Sequence, residues 1–343
     1  MRVAILSPVW FPVPPTGYGG IEWVVSLLAD GLVEAGHDVT LFASGDSRTK
    51  AKLSSVFPEA PSDKIGWSWI DLRHAVSCYT RAGDFDVIND HSGPAAATIG
   101  GLVSTPVVHT VHGPLDEISL ANYQALATLA PSVGLISISL SQRRPGPELP
   151  WAGNCPNALD LEAYPFHEHP GEYLLYLGRL SPDKGAHRAI EVAREAGLPI
   201  KLAGKKREPA EQAYFDEQVR PLLGEDAEYL GETSHVTKVA LLQNARATLF
   251  PIDWEEPFGL VMIESMACGT PVIATRRGAV AEVVEDGRSG IIVDEVGDMA
   301  AAVVEADRLD PRECRGYAEE HFSPERMIAD YVAIYESVAG GSA

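Results

Sequence analysis

The sequence predicts an α/β protein built from two doubly wound domains, each around a parallel sheet. Three observations carry this expectation. The chain has 343 residues, about twice what one ordinary core organises. Short apolar runs alternate with segments of helical periodicity along its length, as strand–helix–strand units require. The alternation breaks once, at 143–158 (RRPGPELPWAGNCPNA), which is dense in proline and glycine and has no period.

In the first half the candidate strands are Val3–Ser7, Val39–Ala43, Asp86–Asn89, Pro106–Thr110 and Leu135–Ile138. Between the first two, Val24, Val25, Leu27, Leu28, Leu32 and Val33 repeat at helical spacing, and Gly36 stands where the helix would be capped. After the break the strand-like runs are Leu174–Leu177, Ile200–Ala203, Ala247–Phe250, Val272–Ala274 and Ile291–Val293. Met327, Ile328, Tyr331, Val332 and Ile334 then form a last helical pattern. The expected organisation is a first domain over 1–150, a second over 151–323, and a C-terminal helix in 324–343 packing back on the first. Two such sheets leave a cleft, with ligands outside the carboxyl ends of the strands.

Composition narrows the partners. With 45% hydrophobic and 22% charged residues the chain reads as globular and soluble. No run approaches the roughly 20 apolar residues of a membrane-spanning helix. The opening MRVAILSPVW reads as a buried strand rather than a signal peptide. A net charge of −21 argues against nucleic acid. Residues 1–150 carry 9 Lys/Arg against 14 Asp/Glu, and 151–343 carry 18 against 34. Neither half offers a basic amphipathic helix, so a soluble acceptor is expected and no stable membrane association. Cys78, Cys155, Cys268 and Cys314 are scattered without a CxxC pair, which suits free thiols in a reducing cytoplasm better than disulfides or zinc.

The densest constellation runs from Pro251 to Pro271 (PIDWEEPFGLVMIESMACGTP). A strand ends near Pro251, a loop carries Glu256, and Gly259 opens a short helix ending before Gly269. Glu264 is set among Leu260, Val261, Met262, Ile263, Met266 and Ala267, where an ionised carboxylate is costly unless hydrogen-bonded. Ribose hydroxyls would supply those bonds; so would a lysine or arginine of the fold itself. Glu256 would project toward sugar hydroxyls, and the backbone N–H groups of Gly259, Leu260 and Val261 would meet a diphosphate. A second element, Tyr176–Gly185 (YLGRLSPDKG), follows a strand and places Arg179 and Lys184 where they would stabilise a leaving diphosphate without a metal. The bland alternative is a solvated loop.

Two weaker elements lie in the first half. Gly17-Tyr18-Gly19-Gly20-Ile21-Glu22 allows close backbone approach to a ligand but is no GxGxxG. In Val108–Gly113 (VHTVHG), His112 ends a strand and would hydrogen-bond a donor sugar, although a lone histidine is more often structural. Asp84-Phe85-Asp86 spells DxD, a metal-chelating pattern, but at the strand end opposite the ligand edge. His91 is better placed and less specified.

At these residues the sequence resembles glycosyltransferase family 4, the retaining enzymes of GT-B architecture, over nearly its whole length. Glu256 and Glu264 reproduce the family's E-x7-E pair, and Gly178-Arg179 with Lys184-Gly185 its phosphate-binding loop. Gly204-Lys205, Gly231 and Asp286-Gly287 match minor features, and Gly19-Gly20-Ile21-Glu22 and His112-Gly113 match the family's glycine loop and sugar-contacting histidine. The opening residues look particularly like antibiotic-tailoring members, the avilamycin-pathway enzyme among them. Departures are Asn157-Ala158-Leu159-Asp160 for Asn-Gly-Ile-Asp, Gly204-Lys205-Lys206 for Gly-Lys-Gly, and Asp253-Trp254-Glu255 where small polar residues are commoner.

The resemblance implies two Rossmann-like domains facing a central cleft and retaining transfer from a UDP-sugar, or a GDP-sugar, to a hydroxyl of a small-molecule or glycan acceptor. The nucleotide sugar is a co-substrate; no cofactor or metal is implied. It assigns Arg179, Lys184, Gly259, Leu260 and Val261 to the diphosphate, and Glu264, Gly204 and Lys205 to ribose and nucleotide. Glu256, His112, Gly19 and Gly20 fall at the reacting sugar. The rivals are a nucleotide-sugar epimerase of the same fold, which needs no acceptor, and a non-catalytic sugar-nucleotide-binding protein.

Overall fold

A computed structural model describes residues 1–17, 19–168 and 171–340; Tyr18 of the glycine-rich turn and the last residues of the expected C-terminal segment lie outside them. The chain divides into two compact units, Met1–Ala158 with the helix Pro324–Gly340, and Leu159–Ser323.

The first unit contains β1 (Arg2–Leu6), β2 (Asp38–Phe42), β3 (Lys52–Ser54), β4 (Val87–Asp90), β5 (Val107–Thr110), β6 (Val133–Ser137) and β7 (Trp151–Asn154). They form one sheet of order β3-β2-β1-β4-β5-β6-β7, parallel at every pairing. Val3, Ala4, Ile5 and Leu6 are all buried, which explains a central strand that reads as a continuous apolar run rather than an alternating one. The helix Gly20–Glu34 buries Val24, Val25, Leu28 and Leu32 on one face and ends where Gly36, at φ 88°, donates to the Val33 carbonyl. The helix Pro324–Gly340 buries Met327, Tyr331, Ile334 and Tyr335. Its hydroxyls reach sheet residues: the Asn89 side-chain amide donates to the Tyr335 hydroxyl (2.7 Å), and the Thr110 and Tyr331 hydroxyls lie 3.3 Å apart. Gly31 and Gly153 lack the Cβ that would run into Ile328 and Ile334.

The first unit runs past residue 150. Within the segment expected to be an interdomain crossing, Trp151–Asn154 forms the last strand of the first sheet, paired with β6. It is half-buried and flanked by proline and a cysteine–proline pair, so neither hydrophobicity nor period marks it. The three-residue strand β3 was equally invisible, since an edge strand needs only one ladder.

The second unit contains β8 (Tyr173–Leu177), β9 (Ile200–Ala203), β10 (Ala227–Tyr229), β11 (Ala245–Phe250), β12 (Val272–Thr275) and β13 (Gly290–Val293), again all parallel, in the order β10-β9-β8-β11-β12-β13. β10 is a third edge strand that the periodicity does not mark. The chain winds outward from β8 to β9 and β10, then returns to β8's other side with β11. The carboxyl ends of β8 and β11 therefore flank a topological switch point, the place where such sheets open a ligand crevice. Leu174, Tyr176, Leu202, Leu249 and Ile273 form the core with Ala189 and Ile190 of the helix Ala186–Glu195. Among the described residues no helix is long and apolar enough to cross a membrane.

Candidate functional site

The two strongest sequence elements meet at the switch point of the second sheet. Gly178–Gly185 follows β8 and Pro251–Gly259 follows β11, and their backbones are fastened together. The Asp253 N–H donates to the Asp183 carbonyl (2.8 Å), and Arg188 Nε donates to the Pro251 carbonyl (2.9 Å). Gly185 adopts φ 76°, and a Cβ there would lie 2.4 Å from that same carbonyl oxygen, so this close approach admits only glycine. Across the neighbouring strand ends a Cβ on Gly204 would sit 1.7 Å from the Gly178 carbonyl oxygen. The rim of the crevice is thus bare backbone after both β8 and β9.

Lys184 and Glu256 form an ion pair on this rim, with side chains 17% and 9% exposed. The same carboxylate oxygen, Glu256 Oε2, accepts the Trp254 indole N–H at 3.0 Å, and the Lys184 ammonium lies 4.3 Å from the indole ring centre. The loop is held from behind: the Ala279 N–H donates to the Glu256 carbonyl (2.8 Å), the Gly278 N–H to Glu255 Oε2 (3.0 Å), and the Thr275 hydroxyl to the Ile252 carbonyl (2.6 Å). Glu256 is therefore a firmly placed carboxylate, and no described residue bonds its Oε1.

Glu264 lies in the helix Leu260–Ala267, its side chain 12% exposed. Its Oε1 accepts from Lys238 Nζ (2.5 Å) and from the Tyr164 hydroxyl (2.8 Å). It is thus satisfied by the fold's own lysine, the alternative that its sequence neighbourhood left open. Gly259, at φ 85°, precedes this helix, and Gly259, Leu260 and Val261 are only half-buried at its amino end.

The remaining cations are also paired. Arg179 Nη2 meets Asp183 Oδ2 at 3.1 Å, and Arg179 Nε and Lys205 Nζ lie 3.9 and 3.7 Å from one oxygen of the buried Glu211. Arg179 and Lys205, from the loops after β8 and β9, thus converge on a shared carboxylate. The Gly204 carbonyl accepts the Tyr229 hydroxyl at 2.8 Å.

In the first unit, Gly19 (φ 152°) stands against Pro15 and the Glu22 carboxylate, and Gly20 opens the following helix. Burial pushes the Glu22 carboxyl up to about 7. His112 Nε2 is 2.8 Å from His91 Nδ1, with the rings stacked 5.1 Å apart. Burial, reinforced by His109, depresses His112 to about 3, and burial with His112 and His109 holds His91 well below its usual value. Both rings are neutral, so one N–H is shared between them. Asp90, paired in register with His109 across β4 and β5, accepts the Tyr79 hydroxyl (2.6 Å). The DxD residues are paired within the fold: Asp84 pairs with Arg81, and Asp86 accepts both the Arg2 backbone N–H and its guanidinium at the amino end of β1. Among the described residues no group of His, Cys, Asp and Glu is placed to hold a metal ion.

A family model described as Glycosyltransferase Family 4 matches residues 18–142, and one described as Glycosyl transferases group 1 matches residues 164–311. The chain belongs to glycosyltransferase family 4. One match falls in each unit, and together they span most of the chain. The chain is 28% identical to the phosphatidyl-myo-inositol mannosyltransferase of Mycolicibacterium smegmatis, over 99% of this chain and 95% of that protein. It is 27% identical to a glycogen synthase of Mycobacterium tuberculosis, over 88% and 85%. The crystal structure of AviGT4, a glycosyltransferase involved in avilamycin A biosynthesis, superposes with a TM-score of 0.73 at 29% identity, covering 99% of this chain and 98% of that one. Anabaena HepE, solved with UDP-glucose, has the same fold at a TM-score of 0.71 and 20% identity, covering 99% and 100%. As a family 4 member the chain is a glycosyltransferase of the GT-B class.

Three contributors around the family's glutamate pair escaped sequence reasoning. Trp254 stood out only as a departure, Lys238 is one cation on an ordinary helix, and Tyr164 has no signal at all. Nothing in their spacing announces that β-sheet order brings them to Glu256 and Glu264.

Proposed function

We propose that this glycosyltransferase moves a sugar from a nucleoside-diphosphate sugar, with uridine as the favoured base and guanosine the next, to a hydroxyl of a small-molecule or glycan acceptor, with retention at the anomeric carbon. The observation that carries the reading is the convergence of the Gly178–Gly185 and Pro251–Gly259 loops at the switch point of the second sheet. Arg179 and Lys184 take the diphosphate, helped by the N–H groups of Gly259, Leu260 and Val261. Negative charge grows on that group as the glycosidic bond breaks, so preorganised cations stabilise the transition state more than the ground state, and no metal is needed. Phosphate draws Lys184 away from Glu256, whose carboxylate then accepts from sugar hydroxyls. Glu264 takes the ribose, and Gly204 and Lys205 the rest of the nucleotide. His112 is assigned to the donor sugar, and Gly19 and Gly20 to the space beside the anomeric carbon, on the family resemblance. Four free, buried thiols suit a reducing cytoplasm.

The test is a transfer reaction followed by proton NMR. UDP-glucose, UDP-galactose and GDP-mannose are each incubated with a panel of hydroxyl acceptors. The reading expects a new glycoside with the donor's anomeric configuration. Inverted product would contradict retention, and conversion of the donor to another nucleotide sugar without acceptor would mean an epimerase.

A further inference from the structure

Glu264 is held from one side only. Its Oε1 takes two donors, the Lys238 ammonium at 2.5 Å and the Tyr164 hydroxyl at 2.8 Å, while no described residue bonds Oε2. Both donors are themselves fixed. Lys238 stands on the helix His235–Gln243, which is capped by Ser234 accepting from the Thr237 N–H, and its ammonium lies 5.4 Å from the centre of the Tyr164 ring. Tyr164 is 4% exposed, with the His235 ring edge-on to it at 5.1 Å. Arg315 Nη1 ties the Tyr164 carbonyl (2.6 Å) to the Ala267 carbonyl (2.7 Å), the latter at the end of the helix that carries Glu264. Burial, with Glu264 adding, keeps the Tyr164 phenol protonated far above its usual range, so it stays a donor.

We propose that Lys238 and Tyr164 are positioning residues that fix the Glu264 carboxylate by Oε1 and turn its Oε2 to the ribose diol of the donor nucleotide. This rests on the assignment of Glu264 to ribose made above. A carboxylate in an apolar helix without a cation would be costly to keep charged and free to rotate. With Oε1 saturated, the carboxylate has one orientation and its second oxygen presents acceptor lone pairs to two hydroxyl donors. The pair thus sets how strongly the enzyme distinguishes a ribonucleotide from one lacking those hydroxyls. Glu256 repeats the plan with Lys184 and Trp254 on one oxygen, which makes one-sided holding a shared property of both glutamates.

The experiment is calorimetric titration with UDP and with 2′,3′-dideoxy-UDP, or with the guanosine pair if GDP is what wild type binds, on wild type, Glu264→Gln, Lys238→Met and Tyr164→Phe. Wild type is expected to prefer the ribo form by about ten- to hundredfold, the range for hydrogen bonds to a charged group. Glu264→Gln, Lys238→Met and Tyr164→Phe should each shrink that preference to about threefold or less, while affinity for the dideoxy nucleotide stays near the wild-type value. A merely structural role would weaken both nucleotides equally and would overturn the proposal. If Glu264→Gln abolishes the preference but both other variants keep it, the positioning role falls and the ribose assignment stands. Wild type that shows no ribose preference, or binds neither nucleotide, overturns both.

Discussion

Lys184 and Glu256, 72 residues apart in sequence, are ion-paired at the ends of adjacent strands β8 and β11, with the Trp254 indole donating to the same carboxylate oxygen. The pair joins the Gly178–Gly185 loop to the Pro251–Gly259 loop. In the function proposed above this makes the two roles interdependent: a phosphate that takes Lys184 would release the carboxylate for the sugar.

Replacing Glu256 by Gln should therefore separate sugar from nucleotide. Lys184 loses its carboxylate competitor, so UDP affinity holds within about threefold or rises. The sugar loses charge-assisted hydrogen bonds, so kcat/KM for the nucleotide sugar falls about ten- to hundredfold. Titration with UDP beside steady-state transfer kinetics checks both halves; equal losses in each would contradict the division of labour.

Gly204→Ala should damage the second unit without touching a charged group. Its Cβ would sit 1.7 Å from the Gly178 carbonyl oxygen, so the strand ends must part, at about 1–3 kcal/mol. At roughly 2–4 °C per kcal/mol the melting temperature falls by several degrees, and nucleotide affinity falls with it. Gly83→Ala, where a Cβ meets nothing, is the control and should melt like wild type.

Glu22 gives a signed pH dependence. Its carboxyl is raised from an ordinary 4.5 to about 7 by burial, so between those values the native chain binds the extra proton. Stability from this group is full below about 4.5 and is lost as pH rises through 7, an effect on the order of 3 kcal/mol. Glu22→Gln should melt at about the wild-type temperature at pH 5 and several degrees above it at pH 8. The buried histidines act in the opposite sense: with His112 at about 3 and His74 at about 4, they destabilise the fold as pH falls below about 6.5. A Glu22→Gln difference that is the same at both pH values would contradict the assignment.

The DxD segment should be dispensable. Asp86 pairs with Arg2 at the surface, where solvent screens such a bridge and it contributes little. Asp86→Ala is expected to keep wild-type turnover, and chelator treatment of the wild type to leave the rate unchanged. Loss of activity on chelation, restored by a divalent cation, would contradict the metal-free reading.

Much of this was legible in the sequence because the main elements are strongly patterned. Continuous apolar runs such as Val3–Leu6 mark strands buried on both faces, and Gly36 marks a helix end. The glutamate pair and the glycine–cation loop were legible because each motif is local. What escaped was non-local or weakly patterned. The edge strands Lys52–Ser54, Trp151–Asn154 and Ala227–Tyr229 satisfy one ladder each and need no hydrophobic run, so the domain boundary was placed before Trp151. Tyr164 and Lys238 reach Glu264 across 100 and 26 residues, through a sheet order that spacing does not reveal. His91 was noticed, but its bond to His112 depends on β4 and β5 being neighbours.

The central claim, a nucleoside diphosphate bound at the switch point of the second sheet, is tested most directly by calorimetric titration of UDP and GDP. Wild type is run beside Arg179→Ala and Glu264→Ala. The account predicts that one nucleotide binds wild type and that each variant weakens it about ten- to hundredfold, the loss of a charge-assisted hydrogen bond worth about 1.5–3 kcal/mol. Binding that survives both substitutions unchanged would contradict it.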